Sequence, residues 1–251
     1  MAIPDIDIPS YVLTIEQEGG ERRTHAYQQL SALGLNTSFV KGFDKEDPSI
    51  IDEYNGILNL LLSKRSLTNG EVAVYCGHRK IWRKFLASHH THALILEDDF
   101  WINDKDKFLR AICDGFDHSL DWDILKFFDF KPKRVLERKA INETNIVRYK
   151  YSASGAVAYL IDREAAEKLL SRKRFFRAVD EDLSWPWELG LSVWSVSPNL
   201  VEEVSHTLGG SLLEADRMSK KRRKNIFRSL WGNVIQAYKL VRSKTYNARF
   251  G

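Results

Sequence analysis

The chain has 251 residues, of which 43% are hydrophobic and 12% aromatic, so it is long and apolar enough to bury a full core as one large domain. No apolar run approaches the roughly 18–20 residues that a membrane-spanning helix requires, and we expect no signal peptide, because the first residues lack a basic segment followed by a long apolar one. Two cysteines without CxxC spacing, Cys76 and Cys113, argue against a disulfide framework and indicate a reducing compartment.

The net charge of +4 is unevenly distributed along the chain. From Arg217 to the end there are 11 Lys or Arg residues and no Asp or Glu, whereas the preceding 216 residues contain 27 basic and 34 acidic side chains. The body is therefore acidic, with a formal charge of −7, and the basic character belongs to the C-terminal segment. This shift predicts a globular domain over residues 1–214 and a basic tail over residues 215–251.

The apolar pattern predicts strands and helices in alternation. Strands are expected at 11–15, 37–43, 92–96, 122–128, 154–161 and 192–197. Helices are expected at about 21–33, 70–89, 104–113 and 162–170, the last with Asp162 as its N-cap. The run at 92–96 is continuously apolar, which is typical of a strand that is buried on both faces. Together the elements predict an α/β fold with a mainly parallel sheet flanked by helices.

Three adjacent carboxylates, Glu97, Asp98 and Asp99, follow the apolar strand directly. In open α/β sheets the ligand-binding crevice lies beyond the carboxyl ends of the strands. Like charges repel one another in such a crevice, and a divalent cation with hard oxygen ligands, Mn²⁺ or Mg²⁺, relieves that repulsion. Asp99 is the expected direct ligand, with Glu97 as a second ligand, direct or through water. A solvated acidic turn at the strand end is the alternative interpretation.

The surrounding sequence resembles the family 25 glycosyltransferases, the lipooligosaccharide galactosyltransferase group that includes collagen galactosyltransferase domains. The matching residues in the central region are Glu71, His78, Trp82 and the Leu96-Glu97-Asp98-Asp99 segment, in that order and spacing. Further similar segments are "YVLTI" with Arg22 and Arg23, "VKGFD" ending at Asp44, "SGAVAYLIDREAAEKLL" containing Gly155, and "VDEDLSWPWELGLSVWSVSPNLVEE". The resemblance covers roughly residues 10–214.

The resemblance implies a GT-A fold of the Rossmann type and transfer of a hexose, with galactose expected, from a UDP-sugar to a lipopolysaccharide, lipooligosaccharide or other glycan acceptor. By this resemblance, Glu97 and Asp99 would hold Mn²⁺ or Mg²⁺. His206 would be either a third ligand or an ordinary loop histidine. The residues expected to contact the donor are Arg22, Arg23, Asp44, His78, Glu97, Asp98 and Gly155. Alternatively, Arg22 and Arg23 belong to the solvated face of a helix. The alternative for His78 is a buried position that supports the site without contacting the donor.

Inverting transfer needs a base that removes the proton of the acceptor hydroxyl. Asp180 matches the downstream Asp of the family segment, and Asp182 is the second candidate for that role. The clustered charges of Asp180, Glu181 and Asp182 are expected to raise at least one of their pKa values. The alternative interpretation is that these acids cap the helix that follows them.

Two other functional classes use similar features. A metal-dependent phosphoryl or nucleotidyl transferase would use the same carboxylates, but the sequence contains neither GxxxxGK[ST] nor GxGxxG. A nucleic-acid-binding protein would use the basic run "KKRRK" at 220–224, but the acidic body would repel a polyanion. We therefore expect no nucleic-acid partner.

The C-terminal segment 217–249 has the composition of an interfacial helix. Its apolar residues recur at helical spacing in the stretch 226–241, and Trp and Phe are among them. A basic amphipathic helix of this kind is typical of proteins that lie on an anionic membrane surface. The expected location is therefore cytoplasmic, at the inner face of a membrane. Docking of the helix on the body as ordinary core is the alternative.

Overall fold

The structure, a computed structural model, describes residues 8–209 and 226–249. The strands in this part of the chain are β1 Ser10–Thr14, β2 Thr37–Lys41, β3 His92–Glu97, β4 Phe100–Ile102, β5 Ile124–Lys126, β6 Val135–Ile141, β7 Thr144–Tyr149, β8 Ala158–Asp162, β9 Val193–Val196 and β10 Val201–Glu203. The α-helices are α1 Glu21–Ser31, α2 Gly56–Leu62, α3 Asn69–Leu86, α4 Lys105–Gly115, α5 Arg163–Ser171, α6 Val179–Leu183 and α7 Ile226–Asn247.

An eight-stranded sheet with the order β2-β1-β3-β8-β5-β9-β7-β6 forms the centre of the fold. The strands β1, β2, β3, β5, β6 and β9 run in one direction, whereas β7 and β8 run in the other. The predicted α/β class is therefore confirmed, with a sheet that is mixed at β8 and β7. Several strands are shorter than predicted; for example, β5 covers 124–126 and β8 begins at Ala158.

The sheet is covered by apolar side chains on both faces. Alternate residues of β3 enter two different clusters, with Ala93 and Ile95 on one face and Leu94 and Leu96 on the other. The first cluster packs against α3 and α5 and the second against α1 and α4. All four of these β3 side chains are fully buried. This confirms the interpretation of the run at 92–96 as a strand enclosed on both faces.

Side-chain caps fix the two helices of the first face. Thr68 and Glu71 form a capping box at the start of α3, so that each side chain accepts a hydrogen bond from a free backbone N–H. Asp162 accepts a hydrogen bond from the Ala165 N–H at 2.6 Å, which confirms it as the N-cap of α5. These caps define the residue at which each helix begins.

A two-stranded antiparallel sheet of β4 and β10 lies beside the end of β3. The backbone N–H of Val204 donates to the Asp99 carbonyl at 2.7 Å and continues this pairing past β10. The pairing brings Glu203, at the end of β10, to the acidic segment that follows β3.

The predicted C-terminal helix, α7, is present and contacts the body with its polar side. Asn247 donates to the Tyr149 carbonyl at 2.8 Å, and the Ser243 hydroxyl accepts from the Ser152 N–H at 3.2 Å. The predicted domain boundary at 214/215 and the basic run at 220–224 lie outside the described residues. No helix within 8–209 or 226–249 combines the length and apolar character needed to cross a membrane.

Candidate active site

A cavity of about 670 Å³ opens at the carboxyl ends of β1, β2 and β3. Its lining includes the end of β1 at Thr14, the loop after β2 at Asp44 and the acidic segment after β3. The loop before β8 and the start of α6 complete the wall. The cavity therefore lies at the sheet edge where parallel α/β folds bind their ligands, as the sequence predicts.

The acidic segment meets one buried cation. Arg22, near the start of α1, donates through Nη1 to Asp98 Oδ1 at 3.2 Å and to Asp99 Oδ2 at 3.4 Å. Burial raises the pKa of Asp98, while hydrogen bonds from Thr14 and the charge of Arg22 oppose that effect. One guanidinium is thus shared between two carboxylates, and Glu97 adds a third negative charge beside them.

Asp99 is the least compensated of these carboxylates. Its Oδ1 atom is buried and makes no hydrogen bond. Burial, followed by the charges of Glu97 and Asp98, raises the pKa of Asp99 to about 8, although Arg22 partly offsets this effect. Glu203 contributes further repulsion. A buried carboxylate oxygen without a donor is a position where a bound cation would be stabilising.

A chain of buried hydrogen bonds orients Glu97. The Trp82 Nε1–H donates to the Tyr159 hydroxyl oxygen at 3.0 Å, which lies 2.9 Å from His78 Nδ1. Because the indole N–H can only donate, the Tyr159 hydroxyl is free to donate to Nδ1, and the imidazole proton is then on Nε2. Nε2 faces Glu97 Oε1 at 3.3 Å. His78 is fully buried and outside the cavity lining, so it supports Glu97 from behind.

The two candidate bases occupy different environments in α6. Asp180 lines the cavity. Asp182 is buried and accepts hydrogen bonds from the Tyr75 hydroxyl at 2.6 Å and from Arg172 at 2.5 and 2.7 Å, with Arg177 at 3.4 Å. These contacts tie α6 to α3 through Asp182, away from the cavity lining. Of the two, only Asp180 is positioned to meet a ligand in this cavity.

A model of the family described as glycosyltransferase family 25 (LPS biosynthesis protein) matches residues 7–184. The chain belongs to glycosyltransferase family 25. The match includes β1, β2, β3 and β8, together with the acidic segment and Asp180.

Three relatives illustrate the range of family 25. Human procollagen galactosyltransferase 2 is 30% identical over 62% of this chain and 24% of its own length. The lipooligosaccharide biosynthesis protein lic2B of Haemophilus influenzae is 29% identical over 64% of this chain and 61% of its own length. The human inactive glycosyltransferase 25 family member 3 is 26% identical over 59% of this chain and 24% of its own length. The chain thus matches about a quarter to three fifths of the length of these relatives.

The acidic segment of this family 25 member suits a hard divalent cation that a bound substrate also coordinates. Within residues 8–209 and 226–249, no group of three or more His, Cys, Asp or Glu side chains forms a ready-made cage. The free Oδ1 of Asp99 and the nearby Glu97 and Glu203 instead offer carboxylate oxygens from one side. Mg²⁺ and Mn²⁺ commonly bind through one or two carboxylates together with substrate phosphates. His206 is exposed in a short 3-10 helix and is absent from the cavity lining.

The predicted donor contacts separate into two groups. Arg22, Asp44, Glu97 and Asp98 line the cavity. Arg23 does not line it, and its guanidinium lies over the ring of Phe39 at 4.9 Å.

Gly155 shapes the wall through its backbone. Its φ of +140° lies in a region that side-chain-bearing residues rarely adopt, and an added Cβ would lie 2.8 Å from the Phe128 carbonyl oxygen. Its neighbours Ser154 and Ala156 line the cavity. A glycine is therefore required for the loop before β8 to take this path.

Two groups of cavity residues were absent from the sequence interpretation. Phe130, Lys131 and Lys133 line the cavity from the loop that follows β5. Since β5 runs in the same direction as β3, the rule that identified the acidic segment also applies to this loop. Arg65 also lines the cavity and forms a bidentate pair with Glu71 at 2.5 and 2.6 Å, a contact that depends on how α2 packs.

Helix α7 brings a further cation close to Asp180. Lys239 donates to the Ser184 hydroxyl, and its ammonium lies 5.6 Å from the centre of the Trp185 ring. Burial lowers the pKa of Lys239 to about 8, an effect that the charges of Glu181 and Asp180 partly oppose. The C-terminal segment, which the family match does not include, thus contributes to the electrostatics beside the candidate base.

Proposed function

We propose that this family 25 member transfers a hexose, with galactose expected, from a UDP-sugar to a glycan acceptor. One observation carries the proposal: Asp99, which has a buried carboxylate oxygen without a hydrogen-bond donor, lines a cavity at the carboxyl edge of the sheet. Family membership supplies the reaction class. The likeness to a lipooligosaccharide biosynthesis protein supports a glycan acceptor, and the likeness to a procollagen galactosyltransferase supports galactose as the transferred sugar.

Asp99 and Glu97 would hold Mn²⁺ or Mg²⁺ together with the donor diphosphate. When bound, the cation stabilises negative charge that develops on the departing diphosphate. Arg22 is already beside both aspartates, and its forked donors suit phosphate oxygens. His78 holds Glu97 in place through Nε2, so Glu97 needs little reorganisation when the donor arrives.

Asp180 is our proposed base for an inverting transfer. Its carboxylate would accept the proton of the acceptor hydroxyl while that oxygen attacks the anomeric carbon. Asp180 lines the cavity and lies in the first turn of α6. Asp182, with its partners Tyr75, Arg172 and Arg177, is proposed instead as the anchor of that helix.

Incubation of the full chain with radiolabelled UDP-galactose or UDP-glucose and Mn²⁺ tests the proposal. Glycosyltransferases without an acceptor commonly transfer the sugar slowly to water, so we expect UDP release that stops in excess EDTA. Release of inorganic phosphate from nucleoside triphosphates, without UDP release from either sugar donor, would assign the cavity to phosphoryl transfer instead. No turnover and no binding of either UDP-sugar would reject the proposal.

A further inference from the structure

Helix α7 contacts the body with its mainly polar side, whereas an ordinary surface helix contacts the body with its apolar side. The buried positions of α7 are Gly232, Ile235, Ser243 and Asn247, and Gln236, Lys239 and Tyr246 are partly buried, so most of the docked side is polar. The opposite side carries the exposed apolar residues Leu230, Val234, Tyr238 and Val241. A helix that is stabilised by packing on a core buries its apolar stripe and exposes its polar one. In α7 this arrangement is reversed.

The exposed stripe follows from the helical repeat. At 100° per residue, Leu230, Val234, Tyr238 and Val241 fall within one quarter of the helix circumference. Val234 is 56% exposed and Val241 is 62% exposed. The stripe is therefore a continuous apolar face about three turns long.

Helix α2 extends this apolar face. The Trp231 Nε1–H donates to the Leu61 carbonyl at 2.6 Å, and Gly232 packs against Lys64, where an added Cβ would lie 2.6 Å from Lys64 Cγ. Ile57 on α2 is 74% exposed, and Leu60 and Leu61 are also more than half exposed. We call the large apolar side chains of α2 and α7 that are more than half exposed the apolar platform: Ile57, Leu60, Leu61, Leu230, Trp231, Val234, Tyr238 and Val241.

The charged side chains that flank the α7 stripe are of one sign. Arg242 and Lys244 are exposed on the two sides of the α7 stripe. From Arg217 to the end the sequence has 11 basic residues and no acidic one, so the platform is bordered in the chain by an entirely cationic segment. An apolar face with a cationic border is complementary to the interface of an anionic bilayer, where acyl chains lie beneath negative headgroups.

We propose that the apolar platform of α2 and α7 binds the surface of an anionic lipid bilayer. The contacts on the docked side of α7 hold the helix firmly on the body. This differs from a free tail helix, because α2 belongs to the globular domain and α7 is held by Lys239, Ser243 and Asn247. Membrane binding therefore fixes the orientation of the whole domain.

This orientation would bring the cavity close to the membrane surface. Arg65, three residues after the end of α2, lines the cavity, and Lys239 lies beside Asp180. The platform and the cavity wall are thus neighbours. An acceptor glycan attached to a lipid would be held close to the cavity opening; this consequence rests on the proposed function, whereas lipid binding itself does not.

Vesicle co-sedimentation of the full chain tests the proposal. The vesicles contain either phosphatidylcholine alone or 70% phosphatidylcholine with 30% phosphatidylglycerol. We compare Val234→Glu, on the exposed stripe, with the control Asn233→Glu, which adds the same charge at an exposed position of α7 outside both the stripe and the docked side. Ile57→Glu tests the part that α2 contributes. Thermal unfolding of each variant verifies that it is folded.

We expect the wild type to bind the anionic vesicles in preference to the neutral ones. Val234→Glu and Ile57→Glu should each weaken binding about tenfold, because each removes an apolar contact and adds repulsion, while Asn233→Glu should stay within about twofold. Failure of the wild type to bind, equal losses in Val234→Glu and Asn233→Glu, or full binding by Ile57→Glu would overturn the platform. A stable wild-type dimer that Val234→Glu dissociates, without vesicle binding, would assign the face to a second copy. Release of UDP from a UDP-sugar, measured without vesicles, reports separately on the proposed function.

Discussion

Replacement of Asp99 by Asn should stabilise the metal-free protein. The side chain is 13% exposed, its Oδ1 atom has no hydrogen-bond partner, and two neighbouring carboxylates repel its charge. Asparagine keeps the shape, removes the charge and supplies an N–H₂ group that a neighbouring carboxylate can accept from. The same substitution should abolish metal-dependent turnover, since it removes the proposed ligand.

The pKa of Asp99 sets the magnitude of this effect. Its pKa rises from 3.8 in the unfolded chain to about 8 in the folded protein. One pKa unit corresponds to about 1.4 kcal/mol, so ionisation of Asp99 costs the folded state at most about 6 kcal/mol. Side-chain relaxation and water entry reduce such penalties, and we expect Asp99→Asn to gain about 2 kcal/mol at pH 8.

The pH dependence has a definite sign. Between about pH 4 and pH 8 the folded protein retains a proton on Asp99 that the unfolded chain has released. The contribution of Asp99 to stability therefore falls as pH rises through this range. The stabilisation by Asp99→Asn should be small at pH 5 and largest at or above pH 8.

Urea denaturation in EDTA, followed by tryptophan fluorescence at pH 5, 6, 7 and 8, measures this difference. The control is Asp52→Asn, which alters an exposed carboxylate outside the cavity and should change the free energy of unfolding by less than about 0.5 kcal/mol. A loss of stability in Asp99→Asn at pH 8, or a difference that does not vary with pH, would refute the account of Asp99 as an uncompensated carboxylate.

Three other substitutions test the surroundings of the cavity. Tyr159→Phe leaves His78 Nδ1 without its buried partner, so it should lower the free energy of unfolding by about 2 kcal/mol in urea titrations and also slow UDP release. Gly155→Ala should cost about 2 kcal/mol in the same assay, because alanine is strained at φ +140° and its Cβ would meet a backbone carbonyl; wild-type stability would contradict this. Asp180→Asn should fold normally and lose transfer, whereas Asp182→Asn should lose about 3 kcal/mol of stability because it weakens buried ion pairs; the reverse pattern would exchange their roles.

Local patterns in the sequence predicted most of the central sheet and the position of the acidic segment. The run at 92–96 contains only apolar residues after His92, so burial on both faces and the strand end at Glu97 follow from composition and periodicity. Asp162 was predicted as a helix cap because its hydrogen bond spans only three residues, and such a bond leaves a direct signal in the sequence.

Other elements lacked such a local signal. The β6–β7 hairpin turns at Asn142, which has a φ of 50°, but its first strand is only half buried and carries charged residues on both sides. Apolar alternation was therefore absent from residues 135–141. The α6 acids present a related difficulty: Asp180 and Asp182 are two residues apart and chemically identical, and only the packing of Arg172 and Arg177 on Asp182 distinguishes them.

The sequence also could not predict which side of α7 contacts the body. The periodicity identified the apolar stripe of the helix, and a stripe of this kind fits a protein core as well as a membrane interface. The choice depends on long-range contacts of Ser243 and Asn247 with residues about 90 positions earlier in the chain. The role of His78 also depends on long-range packing, because its contact with Glu97 requires α3 to pack against β3.

Calorimetric titration of UDP into the full chain, with Mn²⁺ and then with excess EDTA, tests the central claim most directly. The claim is that the Asp99 carboxylate and a divalent cation together bind the donor diphosphate. We expect UDP to bind with Mn²⁺, to lose most of its affinity in EDTA, and to show the same loss in Asp99→Asn but not in Asp52→Asn. Equal UDP affinity with and without the cation, or unchanged binding by Asp99→Asn, would contradict the account.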